Sequence, residues 1–426
     1  MKTVGIIAEY NPFHRGHALQ LEEIRRVYGC DTRIIAVMSG NYTQRGDIAV
    51  ADKYTRAAAV VESGVNLVLE LPFPFSGESA PVFATAGVHI LGALGVVDVL
   101  SFGSESGDIE LCLRAARATA DPALHRIVRE TEKHEKDGFP AVYARTVSAL
   151  YGEDIAAFLL SPNNLLGAEY IRAASKAGLP FDFHTVRRVG SPHDAEADVT
   201  NASDILSAAA LRKIIHENGC ESVLPYLPQS THSIFRKAIA AGIFPMNAEV
   251  LSPAVLSYFA INTPDPDADF ADAGGGLYNR LFSQAEKATD IHSFLRSAAT
   301  KKYTAARTRR ALRNILLGVT SSELKTLPRY TTVLAADPIG RTLLRDIQKR
   351  QAFPLLTKPA DYRQLPEEAA RQAAKAMRAD SLCTLCFPQI RSRDYFFHCA
   401  PYRKSANTPD GNLSSSFVEA IDSSRP

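Results

Sequence analysis

The sequence predicts an α/β fold: a parallel β-sheet with helices on both faces, followed by a mainly helical C-terminal region. Three observations predict it. Short apolar runs at 2–8, 33–38, 65–69 and 96–102 alternate with helical stretches through the first hundred residues, a pattern expected of buried parallel strands. The segments 10–17, 39–46 and 103–105 follow strands and are rich in Gly, Pro and polar residues, and ligands of such sheets bind at strand carboxyl ends. Beyond about residue 220 the strand signal fades.

The elements follow in order. A strand at 2–8 leads through a Pro-bearing turn to a helix at 16–28, closed by Gly29. A second strand at 33–38 precedes a helix at 51–63, which stops at Gly64. The strand 65–69 is closed by Pro72 and Pro74, the helix 79–94 follows, and the strand 96–102 ends at Gly103. Residues 108–160, rich in Ala and charge, read as mostly helix. Ser161-Pro162-Asn163-Asn164 reads as a turn and cap for a helix at 165–177, and 181–189 as a further strand bearing Arg187 and Arg188. A polar, acidic loop at 190–201 precedes a helix at 207–217, which Asn218-Gly219 terminates. The stretch 277–317 is strongly helical, and the Ser-, Asn- and Asp-rich residues after Tyr402 read as a loose tail. The expected organisation is a catalytic unit at 1–220, a helical region at 221–402 and a flexible tail at 403–426.

Composition narrows the classes. With 426 residues, 46% hydrophobic and 22% charged, the chain has the make-up of a globular protein of roughly two to three domains. No apolar run reaches the length of a membrane span, and no signal-peptide layout opens the chain. Six cysteines are too few and too scattered for a disulfide framework. The expectation is a cytoplasmic protein with no membrane partner. Net charge is only +2, but it is uneven: residues 291–350 carry 13 Lys+Arg against 3 Asp+Glu. The densest part holds Lys301, Lys302, Arg307, Arg309, Arg310 and Arg313 beside Tyr303, a composition suited to a nucleic-acid backbone. A solvated helix face would have the same composition, and a second basic cluster at 341–350 favours nucleic acid.

The chemistry points to His14-Arg15-Gly16-His17, just past the first strand. Histidines three apart share a helix face. A helix start supplies backbone N–H groups and a positive dipole end, and Gly16 lets a phosphate approach. Two imidazoles there suit the stabilisation of charge at phosphorus. Gln44, Arg45 and Lys53, in and after the polar loop, are candidates for phosphate or carboxylate contact, with Arg56 close behind. Cys383, Cys386, His398 and Cys399 match a zinc knuckle only loosely, and the apolar flanks Leu382, Leu385 and Phe387 favour buried thiols.

Five motifs occur in one order: Glu9-Tyr10-Asn11-Pro12-Phe13-His14-Arg15-Gly16-His17, Met38-Ser39-Gly40-Asn41-Tyr42-Thr43-Gln44-Arg45-Gly46, Leu69-Glu70-Leu71-Pro72, Ser161-Pro162-Asn163-Asn164, and Lys302-Tyr303-Thr304 with Arg307 and Arg310. Together they resemble the bacterial tRNA(Met) cytidine acetate ligase family, from residue 1 to about residue 400. The resemblance implies a Rossmann-like nucleotidyltransferase domain and a helical part that helps hold elongator tRNA(Met). It implies activation of acetate by ATP to acetyl-adenylate, then acetyl transfer to the exocyclic amine of the wobble cytidine. It places ATP contacts on Ile7, Ala8, Glu9, Tyr10, Asn11, Pro12, Phe13, His14, Arg15, Gly16, His17, Ala18, Leu19 and Gln20, with Gly103, Asn163 and Arg188. His14 and His17 are the implied catalytic pair, and Mg2+ would help neutralise the triphosphate. Nucleotidyltransferases and class I tRNA synthetases carry a later Ile-Ser-Ser-Thr-x-x-Arg motif. Leu206-Ser207-Ala208-Ala209-Ala210-Leu211-Arg212 matches it at Ser207 and Arg212 but has Ala209 in place of Thr. Two other readings share the histidine motif: a small-molecule adenylyltransferase of cofactor synthesis, and a tRNA-binding protein with an inactive nucleotide site.

Overall fold

A computed structural model of the chain describes residues 1–134, 139–188, 205–350 and 353–405. The acidic loop expected at 190–201, and the tail beyond residue 405, lie outside the described residues. The first half contains β1 (Thr3–Ala8), α1 (Arg15–Tyr28), β2 (Arg33–Ser39), α2 (Lys53–Glu62), β3 (Leu67–Leu71), α3 (Ala80–Ala93) and β4 (Val99–Ser104). It continues with α4 (Ile109–Ala120), α5 (Pro122–His134), α6 (Phe139–Tyr151), α7 (Glu153–Leu160), α8 (Pro162–Lys176), β5 (Asp182–Arg187) and α9 (Ala208–Asn218). There follow α10 (Gln229–Ala240), α11 (Ser252–Ile261), α12 (Leu277–Ala285), α13 (Ile291–Ala298) and α14 (Ala305–Leu317). The chain closes with β6 (Thr331–Ala336), α15 (Pro338–Arg350), β7 (Leu355–Leu356), α16 (Glu367–Cys383), α17 (Tyr395–His398) and β8 (Tyr402–Arg403).

The strand order is β5-β4-β1-β2-β3-β6-β7, with β8 also paired to β6. The five strands from β5 to β3 are parallel neighbours, and β6 adds to β3 antiparallel. Both faces of the sheet are covered, so side chains alternate between two cores: Ile34, Ala36 and Met38 enter one, Ile35 and Val37 the other. The strands therefore read as continuous apolar runs. Strand order reverses about β1, which lies between β2 and β4. That reversal opens a crevice at the carboxyl ends of β1 and β4.

Two expectations need correction. The sheet does not close near residue 220. Residues 331–336 form a fully buried strand on its edge, and one hydrophobic core runs from Val4 to Tyr402, taking in α10 to α14 and α16. The strand was missed because six residues of Thr331-Thr332-Val333-Leu334-Ala335-Ala336 carry no alternation. The expected tail also begins later: Tyr402 and Arg403 pair with Ala335 and Ala336, and Lys404 bonds Glu62 at 3.2 Å. The stretch expected to be strongly helical, 277–317, holds α12, α13 and α14.

Candidate active site

The turn after β1 builds the site. Tyr10 takes a left-handed backbone, φ 48°, costly for a bulky residue. It swings the chain out of the sheet and packs its ring edge-on to Phe13 at 5.1 Å and His17 at 4.8 Å. His14 then starts α1 as its N-cap. Its Nδ1 accepts the Gly16 N–H at 3.1 Å, and its own N–H donates to His17 Nδ1 at 3.2 Å. This is a capping box made by two histidines in place of the usual hydroxyl and carboxylate. The rings stack with centroids 3.8 Å apart.

The cap fixes the tautomers. Each Nδ1 accepts a backbone N–H, so each neutral ring carries its proton on Nε2 and donates from there. Burial, with the Arg188 and Arg212 cations nearby, drops the His14 imidazole to about 3. Burial and the neighbouring His14 hold His17 well below its usual range. Gly16 has a packing role beside the expected one. Its N–H is taken by His14, and a Cβ there would lie 2.9 Å from the His14 ring. Gly16 makes room for the imidazole, and an anion at this helix start would meet side chains rather than that N–H.

The low His14 value sets a pH dependence. Above the usual 6.5 the ring is neutral folded or unfolded, and no stability depends on pH. Between 6.5 and about 3 the unfolded chain binds a proton that the folded chain refuses, so stability is lost as pH falls. The loss is about 1.4 kcal/mol per pH unit. His14→Asn keeps a good N-cap and should flatten the decline of unfolding free energy between pH 6 and 4. An unchanged slope in denaturant titrations of that variant would contradict the assignment.

The histidines open onto a cleft at the carboxyl ends of β1 and β4. Ile7, Ala8, Glu9, Tyr10, Asn11, Gly16, Leu19 and Gln20 line it, together with Gln44, Arg45, Gly103, Asn163, Arg188 and Arg212. Arg212 reaches from α9 and donates to the Asn11 carbonyl at 2.8 Å. Asn163 sits in the first turn of α8, not before it. It donates to Glu105 Oε1 at 2.7 Å, while the Glu105 carboxylate caps that helix through the N–H groups of Asn163 and Asn164.

Several candidates stand elsewhere. Pro12 and Phe13 are buried behind the wall, Ala18 packs on the core, and Arg15 donates to the Pro225 carbonyl. Ser207 N-caps α9 through the Ala210 N–H, so Ala208 and Ala209 line the cleft in its place. Lys53 lies in the core between Glu70 and Asp380, 2.7 Å from each. Arg56 is fully buried, donating to the carbonyls of Glu9, Ser39, Gly40 and Ala51. The loop 39–46 is tied down at Asn41 and Tyr42. Asn41 and Tyr42 are bonded to Asp380 and the Ala379 carbonyl on α16, and a Cβ on Gly40 would press at 2.6 Å on the Glu70 carboxylate oxygen that Lys53 holds.

The basic helix α14 turns mostly inward. Arg313 is bonded to Glu78 and the Gly77 carbonyl, Arg310 to Asp272, and Arg309 to Asp47 at 2.9 Å. Arg307 donates to the carbonyls of Asp272 and Gly274. Arg310 and Arg313 are buried, whereas Lys301 and Lys302 are exposed. Charge density cannot distinguish a nucleic-acid face from cations neutralising buried carboxylates, and here the second reading takes Arg310 and Arg313. No metal cluster forms among the described residues. Burial pushes the Cys383, Cys386 and Cys399 thiols up, and His398 is exposed beside Asp394.

Sequence reasoning missed Tyr170, Leu166, Phe102 and Asp47 in the cleft wall. Leu166 and Tyr170 follow Asn163 by three and seven residues, one helix face, so that spacing was a usable signal. Asp47 gave none.

A family model described as HIGH Nucleotidyl Transferase matches residues 1–395. The tRNA(Met) cytidine acetate ligase of Caldanaerobacter subterraneus is 32% identical over 403 residues, 93% of this chain and 99% of that one. The protein of the same name from Acetivibrio thermocellus is 34% identical, covering 85% and 89%. The crystal structure of Thermotoga maritima TmcAL bound with alpha-thio ATP superimposes with a TM-score of 0.87 at 30% identity, covering 95% of this chain and all of that one.

Proposed function

Since this chain belongs to the tRNA(Met) cytidine acetate ligase family of HIGH nucleotidyltransferases, we propose that the cleft beside His14 and His17 joins acetate to ATP and passes the acetyl group to elongator tRNA(Met). The protein is an ATP-dependent ligase that modifies cytidine in tRNA. The observation that carries the site assignment is the paired-histidine cap, which holds two Nε2–H donors at the crevice of the sheet.

In the first step the acetate carboxylate attacks the α-phosphorus of ATP and pyrophosphate leaves. His14 and His17 donate to phosphoryl oxygens as charge builds there, and as neutral donors they need no proton transfer. Arg45, Arg188 and Arg212 line the same cleft and offset the triphosphate charge. Gly103 and Asn163 flank the nucleoside. Ala209 contributes no hydroxyl, which leaves the guanidinium of Arg212 as the phosphate partner from α9. Mg2+ would travel on the triphosphate oxygens. The cleft carboxylates do not form a cage for it: they are Glu9 and Asp47, Asp47 is paired to Arg309, and no cluster of three or more metal-ligating side chains forms among the described residues. In the second step the exocyclic amine of the wobble cytidine attacks the acetyl carbonyl and AMP leaves. We place the reaction in the cytoplasm; no helix among the described residues is long and apolar enough to cross a membrane.

Residues 1–220 form the bulk of the catalytic unit, and part of 221–402 supports tRNA. Exposed Lys301 and Lys302, which precede α14, are the tRNA contacts chosen for test, with Arg45, Arg187 and Arg188 exposed at the cleft mouth. The double variant Lys301→Ala/Lys302→Ala should weaken tRNA binding and lower the slope of log K against log salt by about 0.7–0.9 per lost phosphate contact, with acetate-dependent pyrophosphate release retained. Unchanged affinity and slope in filter-binding assays would remove these lysines from the interface. The reading as a whole is tested with ATP, labelled acetate and total bacterial tRNA. The expected product is one acetylated cytidine at the wobble position of elongator tRNA(Met); a dinucleotide product would favour a small-molecule adenylyltransferase instead.

A further inference from the structure

Acetyl transfer requires a proton acceptor. The exocyclic amine of cytidine is conjugated to its ring and is a weak nucleophile. As its nitrogen bonds to the acetyl carbon, it must shed a proton before the amide is complete. The cleft restricts which group can take it. His14 and His17 cannot, because each Nδ1 already accepts a backbone N–H and each Nε2 carries the ring proton. Tyr10 and Tyr170 are held protonated, their hydroxyls pushed up by burial. Asp47 is ion-paired with Arg309 at 2.9 Å. The Glu105 carboxylate, behind Asn163 and outside the cleft lining, receives the N–H groups of Asn163 and Asn164 and the Asn163 amide.

Glu9 remains. It stands at the exit of β1, in the wall of the same cleft as both histidines. Its placement is fixed twice. Arg56 donates to its backbone carbonyl at 2.7 Å, and Oε1 accepts the Gln44 N–H at 2.6 Å. Oε2 accepts no hydrogen bond from the described residues, and none of their cations lies within ion-pair distance of the carboxylate. We propose that Glu9 is the catalytic base of acetyl transfer, taking the proton from the cytidine amine as that amine attacks the acetyl-adenylate carbonyl. This inference rests on the acetyl-transfer reading above. The nitrogen–carbon bond forms, the bond from the acetyl carbon to the AMP oxygen breaks with its electron pair, and the proton passes from nitrogen to Oε2.

The surroundings suit the role. Burial raises the Glu9 carboxyl above the usual carboxylate range, and the guanidinium groups of Arg212, Arg45 and Arg56 oppose that rise. Tyr170 from α8 also faces it. A base whose pKa lies closer to neutrality accepts a proton more readily while remaining ionised at the working pH.

The test isolates the second step. Full-length wild type, Glu9→Gln and Glu9→Asp are each mixed with chemically prepared acetyl-adenylate and tRNA(Met) in single-turnover reactions, with acetate-dependent ATP–pyrophosphate exchange measured in parallel. Gln keeps an acceptor for the Gln44 N–H, and thermal melts check the fold. The expected result is a fall of about 10²–10⁴ in the transfer rate of Glu9→Gln, a far smaller fall in exchange, and partial recovery in Glu9→Asp. The wild-type transfer rate should rise with pH as Glu9 ionises, and that limb should vanish in Glu9→Gln. Transfer within threefold of wild type, an equal fall in both half-reactions, or a pH limb that persists in Glu9→Gln would overturn the proposal. A wild type unable to use acetyl-adenylate would overturn the acetyl-transfer reading itself.

Discussion

Loss of either imidazole, in His14→Ala or His17→Ala, will reduce acetate-dependent pyrophosphate release by about 10²–10³-fold per residue, the usual cost of removing one preorganised donor from a site of developing charge. The two variants differ in what else they lose. His14→Ala also removes the N-cap of α1, costing about 0.5–2 kcal/mol of stability. His17→Ala leaves that cap and removes the acceptor of the His14 N–H. His14→Asn separates the effects, because asparagine caps a helix but has no Nε2–H: stability should return while activity stays low. ATP–pyrophosphate exchange at the wild-type rate in His14→Asn would take His14 out of the phosphoryl step. Binding of tRNA should be unaffected in all three, since the exposed Lys301 and Lys302 lie outside α1, just before α14.

Lys53→Met will destabilise the protein by about 3–5 kcal/mol at pH 7.5, the cost of leaving buried charge without its partner. Lys53 Nζ is 2.7 Å from both Glu70 Oε1 and Asp380 Oδ2, and all three side chains are at most 6% exposed. Asp380, already raised to about 6 by burial with Lys53 in place, rises further without it. The folded variant then holds a proton that the unfolded chain, with its ordinary carboxyl, gives up. Its stability therefore increases as pH falls through the folded value, and the gap to wild type narrows between pH 7.5 and 5.5. A gap that widens on acidification would refute the account. Function should suffer as well, because Asp380 also holds Asn41 at 2.8 Å, and Asn41 anchors the loop that presents Gln44 and Arg45 to the cleft.

Much of the site was legible in the sequence. The histidine pair, Gly103, Asn163 and Arg188 fall together because they follow strands whose apolar runs were plain. The cations were the least legible class. Arg45 and Arg212 line the cleft, but Lys53 and Arg56 are core residues, and Arg310 and Arg313 answer Glu78 and Asp272. Nothing local distinguishes these fates, since a side chain that meets phosphate and one that meets a buried carboxylate have the same composition around them. The resemblance places Glu9 among the nucleotide contacts, and it is the unbonded Oε2 that points to the role proposed for it.

The sequence by itself determined the parallel sheet, the helix that starts at His14 and the position of the site at the end of β1. These depend on periodicity, caps and turns, which neighbouring residues specify. The tertiary structure decided which charges are free and where the sheet ends. Asp380 is 327 positions from Lys53, and β6 pairs with β3 across more than 250 residues. Whether a charge is solvated, paired or poised for chemistry depends on what burial places beside it, and partners so distant along the chain leave no local pattern.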